Sequence, residues 1–459
     1  MNPSQSGESE SYSARSPIRN VARTFGCPVK NSNGGLPLEL SNQRAHDESC
    51  WQAPRYSRDA ASKSPCNYYV RYRHKVSRLG QFPILHTRCG TVNAWKKVEG
   101  VLLSHYHSPD LEAARVLYSA FAAHRLSGAA VWPMIVAPPG SMKTDMLNVL
   151  EGQRDTHFID QITPNTFISG QIERPGSASK VPPGLLHRIG NTGVIVFSDF
   201  STVLAMPPEK RALILADMRR IYDGGLRKEY GSAPTRGPRE WKGRITFVVA
   251  ATDAVDRAYS IFQTLGERFI MVRCPRADGT AAALAAMRQN RANAINELKT
   301  AVQELLAAVP PRLEPALSNT IAKRIAALAE FVVCGRTHIE RDGREKEIRY
   351  EPQPESPTRL SQQLSQLAKG SALLDGRAGV NAQDYRLAQR VGLDCIPATR
   401  RKLLEYLSTG DESKVAKMPA STRCYAEEEL QSLGLVSGRG SSAGLSTVAL
   451  SLISDAELF

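Results

Sequence analysis

AAVWPMIVAPPGSMKTDMLNVL, residues 129–150, changes character twice. Its first part is apolar and rich in strand formers, its middle is a Pro/Gly turn, and its end reads as a helix. Strand, loop and helix in that order form the setting a phosphate-binding loop needs. Backbone N–H groups of such a loop surround the phosphates, a Lys brings a mobile cation to the β/γ-phosphates, and the next hydroxyl binds magnesium. The usual spacing, G-x-x-x-x-G-K-[ST], falls on Ala137-Pro138-Pro139-Gly140-Ser141-Met142-Lys143-Thr144. Both framing glycines are absent. Lys143 and Thr144 keep their offset, and Gly140 supplies flexibility inside the loop. Pro139, Gly140, Ser141, Met142, Lys143 and Thr144 are the candidate nucleotide-binding residues. The plain alternative is an ordinary strand-to-helix turn.

Further along, Val194-Ile195-Val196-Phe197-Ser198-Asp199 reads as a buried strand ending in an acid. Such an acid beside a phosphate loop holds magnesium, often through water. Thr144 and Asp199 are therefore the candidate metal ligands, against the alternative that Asp199 merely caps a turn. The usual companion is a Glu directly after the acid, to polarise the attacking water. Phe200 stands there instead. Glu209, Asp145 and Asp160 are substitute bases by composition only. Other strands are expected within 157–163, 245–250 and 267–275, and a helix over 209–224. Alternating strands and helices predict an α/β fold with a parallel sheet over about 130–275.

These segments together resemble an AAA+ ATPase core, closest to the branch of minichromosome maintenance helicases and magnesium chelatases. The resemblance covers about 130–407. It implies ATP and Mg2+ as ligands. Ala250-Ala251-Thr252-Asp253 resembles the element that senses the γ-phosphate, with Asp253 where Asn is common; this assigns the role to Thr252. Gly266-Glu267-Arg268-Phe269 resembles the arginine-finger segment, so Arg268 would reach a neighbouring subunit's γ-phosphate. Pro357-Thr358-Arg359 resembles the opening of the lid's second sensor, so Arg359 would touch the same phosphates. Leu373-Leu374-Asp375-Gly376-Arg377, Val380 and Asp384 also follow a lid pattern. Arg219, Arg220 and Lys228 would serve an interface or a central pore. A finger acting in trans implies a homo-oligomer, most simply a closed ring.

The boundaries that follow are a basic, weakly ordered extension over 1–90, the ATPase core over 91–278, helices including the lid over 279–407, and a C-terminal unit over 408–459. Residues 280–333 read as a helical hairpin broken at Pro310–Pro311. The C-terminal segment resembles a winged helix, with a recognition helix starting at Pro419-Ala420-Ser421-Thr422-Arg423.

The chain has 459 residues and a formal charge of +14. Residues 1–100 hold fifteen Lys and Arg against seven Asp and Glu, whereas 401–459 hold six against eight. DNA contact is expected through 413–445, with Lys414, Lys417, Arg423 and Arg439 as a basic face, and through the basic N-terminal extension. Glu427, Glu428 and Glu429 count against it and leave protein docking open. Cys27, Cys50, Cys66 and Cys89 are too widely spaced for a zinc site. Few cysteines, no signal-like N-terminus and no apolar run near the ~20 residues of a membrane span suggest the cytoplasm. The leading functional expectation is an ATP-driven motor or switch acting on DNA or a DNA-bound partner. The alternatives are an ATP-dependent scaffold with little hydrolysis, and a protein-remodelling or chelatase-like machine without DNA.

Overall fold

The computed structural model describes residues 88–170, 184–230, 238–257, 267–276 and 278–459. The expectations for residues 1–87, including DNA contact through the basic N-terminal extension, lie outside them. The first described helix, Arg88–His105, starts slightly before the expected onset of order.

Seven strands follow in the α/β part: β1 (Trp132–Val136), β2 (Thr156–Ile159), β3 (Thr192–Phe197), β4 (Gly225–Lys228), β5 (Arg239–Lys242), β6 (Arg244–Ala251) and β7 (Phe269–Arg273). Five form a parallel sheet in the order β2-β3-β6-β1-β7. Helices on both faces demand continuous apolar strands rather than alternating ones. Accordingly β1 is buried at all five positions, and β6 from Ile245 to Ala251. β4 and β5 pair antiparallel as a separate hairpin inserted between β3 and β6. Sequence reading missed this hairpin, because Leu226 and Trp241 alone carry its buried face.

Trp132 fixes the centre of the core. Its ring is fully buried, and its indole N–H donates to the Ile245 carbonyl at 2.8 Å. Tyr222 and Phe247 meet it edge-on at 5.0 and 4.7 Å between centroids. Helix Leu111–Ala123 packs on this sheet and on helix Thr358–Leu374. Gly370 permits that close crossing. A Cβ there would fall inside contact distance of the Ser119 carbonyl oxygen and 2.9 Å from Ala123 Cβ.

The expected break at Pro310–Pro311 separates helices Arg291–Ala307 and Asn319–Arg336, but the first arm of the expected hairpin is itself divided, with Gly279–Arg288 as a separate helix. Asn290 makes the extra break, since its side chain accepts the Asn293 N–H at 3.2 Å and starts a new helix. Helices Thr358–Leu374, Ala382–Asp394 and Ala398–Thr409 follow, in the region expected to be helical to about residue 407. The C-terminal part adds helix Ala420–Ser432, a short antiparallel pair β8 (Val436–Ser437) and β9 (Gly444–Leu445), and helix Thr447–Asp455. Among the described residues, no helix is long and apolar enough to cross a membrane.

Two stability predictions follow from this packing. Gly→Ala inside a helix normally stabilises by up to ~1 kcal/mol, but G370A should destabilise by about 2 kcal/mol through overpacking; urea unfolding gives the sign. His124 bridges Thr246 and Thr192 at 3.0 and 3.1 Å. Burial first, and then Arg244, push its imidazole down from 6.5 to about 4. The unfolded chain binds this proton more readily, so the stability is present above pH ~6.5 and is lost as pH falls towards ~4, by about 3 kcal/mol. H124Q should flatten that part of the pH–stability curve.

Candidate nucleotide-binding site

β6 hydrogen-bonds to β1 with Val136 opposite Ala251, and to β3 with Phe197 opposite Val249. The carboxyl ends of three neighbouring strands therefore converge. The loop after β1 meets Asp199 after β3 and Thr252–Asp253 after β6. From β1 the chain crosses to β2 on one side of the sheet, and from β6 it crosses β1 to reach β7. Such reversals open a crevice outside the strand ends, where α/β sheets bind ligands.

The loop departs from a glycine-rich cradle in definite ways. Gly140 takes a positive φ of 77°. Met142, where a glycine is usual, has φ −71°, which any L-residue adopts, and its side chain packs against the core. The missing glycine therefore creates no backbone strain. Pro138 and Pro139 carry no N–H, and the Ser141 N–H turns back to the Pro138 carbonyl at 3.3 Å. The helix that follows spans only Lys143–Asn148, shorter than the sequence suggests.

Lys143 is nine-tenths buried, and its ammonium donates to the Ala137 and Pro138 carbonyls at 3.0 Å each. Burial lowers its proton affinity, while Asp199 and Asp253 act in the opposite direction. The lysine and the two acids thus occupy one electrostatic site. Thr144 is exposed beside it. The Ser141 hydroxyl oxygen is buried without a hydrogen-bond partner among the described residues. A buried orphan acceptor and donor of this kind fits an oxygen-rich ligand over an apolar one.

Asp199 is exposed, and its Oδ1 accepts the Ser201 N–H at 3.0 Å. It therefore caps the turn, yet keeps an oxygen facing outward at the strand end. Thr252 and Ser201 hydroxyls lie 3.1 Å apart, and the Thr252 N–H donates to Ser201 Oγ. The Thr252 side chain is thus engaged with the β3 loop. Phe200 is a core residue, fully buried and edge-on to Phe197 and Phe269. Asp145 is not available as a base: it accepts from Arg291 at 2.7 Å and from the Tyr106 hydroxyl at 3.3 Å. Asp160 accepts from Ser198 at 3.3 Å at the end of β2, and Glu209 is exposed at the start of helix Pro208–Tyr222. Thr144 and Asp199 are hard oxygen donors, as Mg2+ prefers, and that ion needs only one or two carboxylates beside the phosphates.

The two arginines lie elsewhere. Arg268 precedes β7, whose Phe269 pairs with Trp132, whereas Arg273 pairs with Val136 at the loop end. About 13 Å of strand separates these edges. Arg268 is buried, donates from Nη2 to both Asp223 oxygens at 3.1 and 3.0 Å, and covers the Tyr222 ring. Its charge is coupled to that of Arg359, which pairs with Glu355 at 3.2 Å. Arg336 joins Glu355 to Glu267. So Lys143, Asp199, Thr252 and Asp253 share one edge, while Arg268 and Arg359 share the other. Gly266 lies outside the described residues. Lys228 is paired with Asp217 and the Pro164 carbonyl, and Arg219 sits near Arg268. The Leu373–Asp384 segment forms a turn in which Arg377 grips Asp384 at 2.7 and 2.8 Å.

A cavity of about 460 Å³ lies between helix Ala420–Ser432 and the β8–β9 connection, lined in part by Arg423, Glu427, Gln431 and Arg439 and by no residue of the 137–144 loop. Arg423 pairs with Glu427 at 3.2 Å and stacks on Tyr406, and Lys414 pairs with Glu405. Glu428 and Glu429 are taken by Arg341, and Glu429 also by Arg400 at 2.7 Å. The expected acid barrier is thus paired within the chain, and so are Lys414 and Arg423 of the expected basic face. The chain matches no protein-family model, and no curated protein matches it in sequence.

The packing around Phe200 yields a prediction. F200E restores the usual acid in sequence but places a carboxylate among aromatic rings. It should destabilise the fold by more than about 3 kcal/mol and raise no phosphate release, as read by thermal melting and a turnover assay.

Proposed function

We propose that this chain is an ATP-binding protein of the AAA+ type, an ATPase that completes its sites between identical subunits. The observation that carries the reading is the convergence of Lys143, Asp199 and Thr252–Asp253 at the carboxyl ends of adjacent strands. A cation, a metal-binding acid and polar strand-end groups at one crevice suit a nucleoside triphosphate with magnesium. Lys143 would leave the loop carbonyls for the β/γ-phosphates. Thr144 and Asp199 would hold Mg2+, which neutralises phosphate charge when bound. Pro139, Gly140, Ser141 and Met142 would line the triphosphate, with donors beginning at Gly140 because the prolines offer none.

Arg268 and Arg359 lie too far along the sheet to serve their own loop. In this reading they serve a second copy, and Arg268 exchanges Asp223 for the neighbour's phosphates. A ring satisfies that head-to-tail contact for every subunit. Movement of the lid helices with nucleotide state would drive DNA or a DNA-bound partner, through segment 413–445 read as a winged helix. One observation favours a protein partner there over a duplex: Arg423 and Lys414, two of the four expected cations, are already paired with acids of the chain.

Binding of a fluorescent ATP analogue with magnesium tests the reading. Wild type should bind, and K143A should bind at least about tenfold more weakly. Mass in ATP should exceed mass in ADP. Mixing K143A with R268A subunits should recover turnover that neither shows alone, because one supplies the loop and the other the arginine. No uptake at millimolar analogue would end the proposal.

A further inference from the structure

Resting on the ATPase reading, we infer that Asp253 is the carboxylate that orients and deprotonates the attacking water. Position argues for it first. β6 and β7 are the two strands directly beside β1, each about 4.8 Å away; β7 runs into Arg273 and Cys274, whereas β6 runs into Thr252 and Asp253, and β3 lies two spacings and β2 three spacings off. The Ala137 N–H donates to the Ala251 carbonyl at 3.2 Å, and Lys143 hangs on the Ala137 carbonyl itself. Asp253 therefore stands two residues past the point where the lysine's loop is pinned to β6.

Elimination argues for it next. Asp145 is held by Arg291 and Tyr106, and Asp256 is held by Arg273 at 2.6 and 2.8 Å. Asp160 is three strands from the loop. Asp199 caps the β3 turn and is the natural metal ligand. Thr252 is engaged with Ser201 and lacks a basic group. Asp253 is exposed and opens the short helix Ala254–Arg257. Of the nearby acids, it and Asp199 are the two whose charge supports the Lys143 ammonium.

The step balances without a further reactant. Water gives a proton to the Asp253 carboxylate as its oxygen bonds to the γ-phosphorus. The bond between that phosphorus and the β–γ bridging oxygen breaks, its electron pair leaves on ADP, and the proton passes to solvent.

The experiment compares wild type, D253N, D253S, D160N and E209Q in analogue binding and in phosphate release. D253N and D253S should bind the analogue as tightly as wild type or more tightly, because a negative charge facing the triphosphate is gone. Their phosphate release should fall about 100-fold. Release by D253N near the wild-type rate overturns the assignment. So does intact release in D253N with loss in D160N or E209Q, and so does a wild type that binds ATP but never turns it over. A wild type that binds no analogue instead removes the ATPase reading itself.

Discussion

Strand β6 is held between β3 and β1 by parallel ladders, and the proposed site exists only because both registers hold at once. A one-residue slip on either side would turn Ile245–Ala251 over to the opposite faces of a sheet that is covered on both. It would also draw Thr252–Asp253 away from Lys143 by about 3.3 Å. Trp132 resists such a slip. Its indole N–H reaches the Ile245 carbonyl at the far end of the same strand pair, so the β1–β6 register is fixed at both ends. The chemistry at one edge is thus set by aromatic packing at the other.

That other edge is ionic. Arg268, Asp223, Arg359, Glu355, Arg336 and Glu267 gather where β7 begins, with the Arg268 and Arg336 guanidiniums buried and Asp223 open to solvent. Burying those two cations is costly unless each is paired, and loss of a partner strands the other. Such a network switches between discrete arrangements more readily than it deforms. The link from Glu267 through Arg336 and Glu355 to Arg359 ties the β7 entrance to helices Asn319–Arg336 and Thr358–Leu374. Release of Arg268 towards another copy would therefore be felt by both helices, which gives an interface a physical route to the helical part.

The sheet was readable because parallel strands are continuous apolar runs, and Val194–Phe197 and Ile245–Ala250 are unbroken ones. The helices after residue 358 were readable from their periodicity. The break at Asn290 was missed because Ala-rich flanks hide a single capping residue. The hairpin β4–β5 was missed because its buried face rests on two residues. For the site, the offset of Lys143 and the strand-end place of Asp199 were visible in sequence. Their neighbours were not. The partners of Asp145, Arg268 and Glu429 come from 146, 45 and 88 residues away, and no local pattern encodes such pairings. The acid triplet 427–429 looked like a repulsive face for this reason, yet Glu428 and Glu429 hold Arg341 and Arg400, and Glu427 holds Arg423.

Phe200 and Asp253 are best understood together. The resemblance leads one to expect an acid after Asp199 and an amide after Thr252. This chain has an aromatic ring and an acid. At 200 the backbone N–H donates to the Ala250 carbonyl at 2.8 Å, and the side chain enters the core between β3 and β7. That position is therefore spent on packing, and no carboxylate fits it without desolvation. One strand over, residue 253 lies past the last ladder bond of β6, exposed and free of packing demands. A carboxylate is tolerable there because the Lys143 charge acts on it. The substitution at 253 thus places a negative group at the end of a strand adjoining β1, where, as at Asp199, the Lys143 charge offsets it.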